Sequence, residues 1–206
     1  DVPQDMLASA SSAVMDQGGY CVIRNGKNMC MLRYPRFRFR PSQADALHLD
    51  LWLKDQNVLC DAGSYSYNTD DEYLSYFPGT SSHNTIQFDD RDQMPKLGRF
   101  LFGDWLKTDF FTGLNKYLDG NCVSAAYRDS FGASHRRSVI LKDNYLQITD
   151  EIKGFSNKAV LRWRLQNDDW KLNGNKLNNK SKTISILFEG SMMLKKVSLV
   201  YGLNSL

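Results

Sequence analysis

The 206-residue sequence has no apolar run approaching the roughly 20 residues that a membrane-spanning helix needs. Cysteine occurs at positions 21, 30, 60 and 122 but never as a Cys-x-x-Cys pair, which argues against a zinc ribbon or a thioredoxin-like redox site. The P-loop, dinucleotide-binding, His-Glu-x-x-His and Gly-x-Ser-x-Gly patterns are missing too, and with them the commonest nucleotide, zinc-protease and serine-hydrolase chemistries. Net charge is only +3, too little to point to nucleic acid. Residues 1–6 carry no basic stretch followed by an apolar core, so an export leader is expected to have been removed or to lie outside this sequence. The compartment therefore stays open.

What is present fits a folded chain with one good core: 42% of residues are apolar and 24% charged. Residues 5–17 are read as a short helix stopped by Gly18-Gly19, or as a linker from an upstream domain, so that residues 1–18 precede a domain spanning 19–206. From Tyr20 onward the pattern is one of strands. Asn25-Gly26 and Asn173-Gly174 each sit between short apolar runs, and such dipeptides favour two-residue hairpin turns. The first places Arg24 opposite Lys27 and Cys21 opposite Cys30. Further strands are expected over 36–40, 46–53, 85–88, 137–141, 145–152, 159–166, 183–188 and 193–201. Many short strands and few helices predict an all-β, antiparallel sandwich.

The segment Leu47-His48-Leu49-Asp50-Leu51-Trp52-Leu53 alternates strictly. In a strand, four leucines would enter the core while His48, Asp50 and Trp52 share the outer face. A histidine, a carboxylate and an aromatic ring side by side could form a site, or a merely solvated face on which the histidine pairs with its neighbouring acid. Arg36, Arg38 and Arg40 alternate with Phe37 and Phe39, giving either a guanidinium rail for carboxylates or an ordinary exposed face. Tyr65 and Tyr67 share a parity and could stack on sugar rings or pack between sheets. Beside Arg136-Arg137, His135 reads equally as an anion contact or as part of a surface turn.

Several blocks occur in a distinctive order: Arg40-Pro41-Ser42-Gln43-Ala44-Asp45-Ala46-Leu47-His48-Leu49-Asp50, Asp61-Ala62-Gly63-Ser64-Tyr65-Ser66-Tyr67-Asn68, Tyr76-Phe77, Ser82-His83-Asn84-Thr85 and Asp92-Gln93-Met94. Together they resemble the heparinase II/III-like proteins of bacteria, particularly those associated with exopolysaccharides. The resemblance implies the C-terminal β-sandwich, of super-sandwich type, of a polysaccharide lyase whose N-terminal α/α toroid is absent from this chain. It implies β-elimination on a uronic-acid-containing acidic polysaccharide, in which the carboxylate is neutralised, a base removes the C5 proton and an acid protonates the departing O4. His48 matches the histidine that projects into the cleft, as base or substrate-orienting group. Asp50, Asp61 and His83 match the ligands of one structural divalent metal, usually zinc, although an aspartate at position 50 binds it less firmly than a histidine would. Arg40, Tyr65 and Tyr67 are the substrate-binding candidates. A periplasmic or secreted location is expected on the same resemblance. The alternatives are a non-catalytic carbohydrate-binding or packing module, and a C5-epimerase domain that returns the proton to the opposite face.

Overall fold

A computed structural model describes residues 11–66, 68–143 and 145–189. The chain divides into two compact units, residues 1–166 and 167–206.

The first unit is an antiparallel β-sandwich. Its first sheet runs β1 (Ala13–Met15), β2 (Tyr20–Asn25), β3 (Asn28–Arg33), β4 (Leu49–Leu53) and β5 (Gln56–Leu59) in simple sequence order. Residues 13–15 thus extend the sheet as an edge strand where a helix or linker was expected; residues 5–10 lie outside the described residues. The β2–β3 hairpin also differs from expectation. Asn25 pairs with Asn28 and Gly26-Lys27 makes the turn, so Cys30 faces Ile23 and Cys21 faces Leu32. Gly26 takes the left-handed conformation (φ 55°), and placing it first in the turn moves the turn by one residue and the partner of each β2 residue by two.

A six-residue helix, α1 (Asp71–Tyr76), and a 3-10 turn at Thr80–Ser82 lead into β6 (Ile86–Phe88). Asp71 and Glu72 in the first turn of α1 suit its partly positive N-terminus. After a small hairpin, β7 (Lys96–Gly98) and β8 (Leu101–Phe102), the second sheet is built from β9 (Thr108–Phe111), β10 (Asn115–Tyr117), β11 (Gly120–Arg128), β12 (Ser134–Leu141) and β13 (Leu146–Lys153). Its order is β10-β11-β12-β13, and β9 also pairs with β11. Finally β14 (Ala159–Leu161) pairs with β6.

β2 lies against β11 and β12, and the core forms between the two sheets. Cys21, Ile23, Cys30, Leu32, Leu49 and Leu51 fill it from one side, Val123, Ala125, Tyr127, Val139 and Leu141 from the other. Every second residue of β12 from His135 onward is buried, the alternation expected of a strand with one face on a core. Asparagine side chains tie the hairpin ends together: Asn25 Nδ2 donates to Asp119 O (3.1 Å), Asn28 Nδ2 to Asp143 O (2.9 Å) and Asn121 Nδ2 to Arg24 O (3.0 Å).

The second unit holds a three-stranded antiparallel meander, β15 (Lys171–Asn173), β16 (Lys176–Asn178) and β17 (Thr183–Ser185), with the turn at Gly174-Asn175. The strand expected over 193–201 lies outside the described residues. No helix among the described residues is long and apolar enough to cross a membrane.

Candidate functional site

Three segments converge at one end of the sandwich. Residues 162–166 run between two of them: Cys60 N donates to Arg164 O (2.8 Å), Gln166 N to Val58 O (3.2 Å) and Arg162 N to Thr85 O (3.2 Å). This brings Asp61, just past β5, beside His83 at the entrance to β6. The third segment, 44–48, enters β4 and is held by side chains. Ala46 N donates to Gln93 Oε1 (2.9 Å), while Thr85 Oγ1 (2.7 Å) and Gln93 Nε2 (2.9 Å) both donate to Ala46 O.

His48 does not stand on the outer face. Leu47 has a left-handed backbone (φ 59°), a conformation costing a bulky residue about 1–3 kcal/mol. The strand proper begins only at Leu49, so the strict alternation stops one residue short of His48. As a result His48 is only 4% exposed, whereas Trp52 on the regular part of β4 is 37% exposed. The inward turn sets the His48 and His83 rings edge to face, 5.5 Å between centroids.

Between the rings lies Asp61. His83 Nδ1 donates to its Oδ2 at 2.6 Å, and His48 Nδ1 is 3.4 Å from the same oxygen. Burial would raise the Asp61 pKa, but the hydrogen bond and charge of His83, the charge of His48 and the N–H of Gly63 outweigh it and hold the carboxyl at about 2. Two imidazoles and a carboxylate thus offer donor atoms all within 4.8 Å of one another, a set that could hold a metal ion. The composition departs from expectation in one place. His48 completes the cluster, and Asp50, 3.8 Å from His48 Nε2, stays outside it.

Buried polar atoms are nearly always hydrogen-bonded. Here His48 Nε2, His83 Nε2 and Asp50 Oδ1 are buried without a hydrogen-bond partner, which is what residues shaped around an additional group would show. The donor set therefore fits a divalent cation once His48 Nδ1 gives up the N–H of Asn84 that it accepts at 3.0 Å. Cys60, next to Asp61 in sequence, is not part of it; half-buried, it donates from Sγ to Asn57 O (3.2 Å).

The proposed substrate-binding residues are placed less tightly. Residues 36–40 form a bend with one isolated bridge, Arg36 to Lys107, instead of a strand. Arg36, Arg38 and Arg40 are exposed, but so is Phe39 at 86%, so no basic rail with a core-facing back exists. Tyr65 is exposed and stacks on Phe77 (5.5 Å, 9°) beside Tyr73 (5.1 Å). Gln43 Nε2 reaches Ser64 Oγ (3.4 Å), which puts the segment following Arg40 next to the loop carrying Tyr65. Tyr67 lies outside the described residues.

Asn84 links the converging segments. Its N–H donates to His48 Nδ1 (3.0 Å), its Nδ2 to Leu49 O (2.9 Å) and Cys60 O (3.0 Å), and its Oδ1 accepts from Arg164 N (2.6 Å). Because His48 Nδ1 accepts, the neutral ring carries its proton on Nε2. The reading of motif residues passed over Asn84 although it stands inside the His83-Asn84-Thr85 block. His135 and Arg137 are fully buried on β12, and neither lies in a surface turn. The same alternation that puts Val139 and Leu141 in the core puts them there.

The sequence matches the profile of the family "Heparinase II/III-like, C-terminal" over residues 8–193. The chain belongs to this family. Among solved structures this heparinase II/III-like domain is similar to a heparinase III gene product, at 20% identity and a TM-score of 0.65, over 82% of this chain and 26% of that one. It is also similar to heparan sulfate lyase HepC from Pedobacter heparinus, at 17% identity and a TM-score of 0.64, over 82% of this chain and 27% of that one. These likenesses show the shared β-sandwich, and the chain spans about a quarter of the length of either relative. No curated protein matches the sequence.

Proposed function

We propose that this domain forms one wall of the active cleft of a polysaccharide lyase, the other wall being an α/α toroid of the same protein, and that the substrate is an acidic polysaccharide containing uronic acid. The observation that carries this reading is the convergence of His48, Asp61 and His83 within a domain whose family membership covers 8–193. Solved relatives include a heparan sulfate lyase, and the class of reaction, not that glycan, is what is carried over.

In this reading His48, Asp61 and His83 hold a divalent cation, zinc by the chemistry of the set, which would neutralise Asp61 and fix both rings. Arg40 and Tyr65, on neighbouring exposed loops, meet the polysaccharide, the arginine by pairing with a carboxylate and the tyrosine by stacking. A general base must come within about 2.6–3.2 Å of the proton it takes. Buried His48 serves better to organise the site, so the base and acid are assigned to the toroid. A second reading makes His48 the base, which needs the Nε2 lone pair and therefore the tautomer that gives up the hydrogen bond from Asn84 N–H.

One experiment separates these. In the full-length protein acting on a uronate polysaccharide, unsaturated product is followed by ultraviolet absorbance, and bound zinc is measured for wild type and His48→Ala. A site-organising His48 loses zinc and turnover together. A catalytic base loses about 10²- to 10⁴-fold in turnover with zinc retained. Arg40→Ala should chiefly raise KM. Uptake of solvent deuterium at C5 without unsaturated product would identify an epimerase instead, and absence of both activities would leave a binding module and sink the lyase reading.

A further inference from the structure

Arg137 is fully buried, sits at the middle of β12, and directs every arm of its guanidinium to a partner. Nε and Nη2 fork onto Asp150 of β13, donating to Oδ1 (2.7 Å) and Oδ2 (3.0 Å). Nη1 donates to two backbone carbonyls, Leu47 O and Asn84 O, at 2.6 Å each. The guanidinium carbon lies 4.8 Å from the centre of the Trp163 ring. Asp150 Oδ1 also accepts from His135 Nε2 (2.8 Å).

The two carbonyls are not arbitrary. Leu47 precedes His48 and has the left-handed backbone that turns His48 inward. Asn84 follows His83, and its N–H holds His48 Nδ1. A single nitrogen therefore grips the carbonyl of the residue before one histidine and that of the residue after the other, 37 residues apart in the chain. Strained backbone persists only where its surroundings over-determine it, and the grip on Leu47 O is such a constraint.

We infer that Arg137, anchored by Asp150, is a positioning residue that sets the separation and orientation of His48 and His83. This rests on the proposed cation reading of that cluster for its functional consequence, though not for its geometry. Lysine in its place keeps the charge facing Asp150 but cannot span four acceptors, because its donors radiate from one point.

The test compares Arg137→Lys with Val139→Ala, a neighbour on the same strand and the same buried face, in the full-length protein. Zinc affinity is measured by competition with a chromophoric chelator. Hydrogen exchange of peptides covering 44–49 and 82–86 is followed by mass spectrometry on the metal-free protein. Arg137→Lys should weaken zinc binding about 10- to 100-fold, the usual cost of removing support behind metal ligands, and should speed exchange in both segments. Val139→Ala should lower thermal stability while leaving both readouts as in wild type. Unchanged affinity and exchange in Arg137→Lys overturn the inference. If that variant does not fold, wild-type exchange decides, since fast exchange at 44–49 and 82–86 in the metal-free protein is incompatible with the brace. If wild type binds no zinc, the cation reading fails, and exchange alone decides the positioning role.

Discussion

The two halves of β12 present the same face to the interior with opposite chemistry. Val139 lies between Val123 and Ile148 and near Leu141, an apolar layer of the kind that fills any sandwich. Two and four residues earlier on the same face, Arg137 lies between Ala125 and Asp150, and His135 between Tyr127 and Ile152. The apolar half binds sheet to sheet without direction, since burial scales with area. At the polar half every contact is directional, and it reaches past the sheets to the loops that carry His48 and His83. A buried charge is a poor source of net stability, because desolvation offsets the attraction. Its presence here is explained by what it orients.

The sharpest way to break the contrast is at Asp150. Burial would raise this carboxyl, but the charge of Arg137 and the hydrogen bonds from His135 and Arg137 outweigh it, so the group sits well below the usual carboxylate range. Asp150→Ala would leave the Arg137 guanidinium buried and uncompensated, at a cost of about 3–5 kcal/mol in urea unfolding. At the apolar half, Val139→Ala removes two methyl groups and should cost about 2 kcal/mol, cavity included. Equal losses at both positions, with zinc binding untouched in each, would erase the distinction.

Acid sharpens it further. Burial lowers the pKa of His135 below its ordinary 6.5, only partly opposed by Asp150. The unfolded chain therefore binds a proton that the native chain refuses, so stability falls as pH drops below about 6.5, by at most ~1.4 kcal/mol per unit. Asp150 acts in the same direction at lower pH, because its native pKa is depressed from 3.8 and its contribution is lost as pH falls through the native value. His135→Gln should flatten the profile between about pH 6 and 4, relative to wild type, in unfolding followed by tryptophan fluorescence. An unaltered slope there would show that other groups carry the acid sensitivity.

The same contrast explains what could be read in advance. Period-two patterning located Leu49, Leu51 and Trp52 on their proper faces, and the family resemblance carried by the ordered motif blocks implied that Asp61 and His83 meet. It failed at His48 because nothing in a leucine announces a positive φ at Leu47. It missed β11, whose Ser124-Ala125-Ala126 centre lacks the branched and aromatic residues that mark strands. At 36–40 it succeeded as a pattern and failed as structure, since alternation cannot create a pairing partner. Arg137 escaped because a charge on a core-facing parity is ordinarily a sign of the wrong parity, and only the loops packed against it supply its partners.

The smallest expected effect concerns the cysteines. Cys21 and Cys30 both belong to the apolar core, yet the register sets Cys21 opposite Leu32 and Cys30 opposite Ile23, so the two are diagonal neighbours. Diagonal positions on an antiparallel ladder lie about 7–8 Å apart, at or beyond what a disulfide spans. Both are free thiols, and burial pushes Cys21 up to about 11 and Cys30 higher still, leaving almost no thiolate near neutrality. Native protein treated with iodoacetamide should be alkylated at half-buried Cys60 and Cys122 well before Cys21 and Cys30, and all four should react in urea. An oxidant should add no Cys21–Cys30 crosslink by mass spectrometry. A crosslink formed readily in the native state would mean that the hairpin turns at Asn25-Gly26 after all, with the two sulfurs directly opposed.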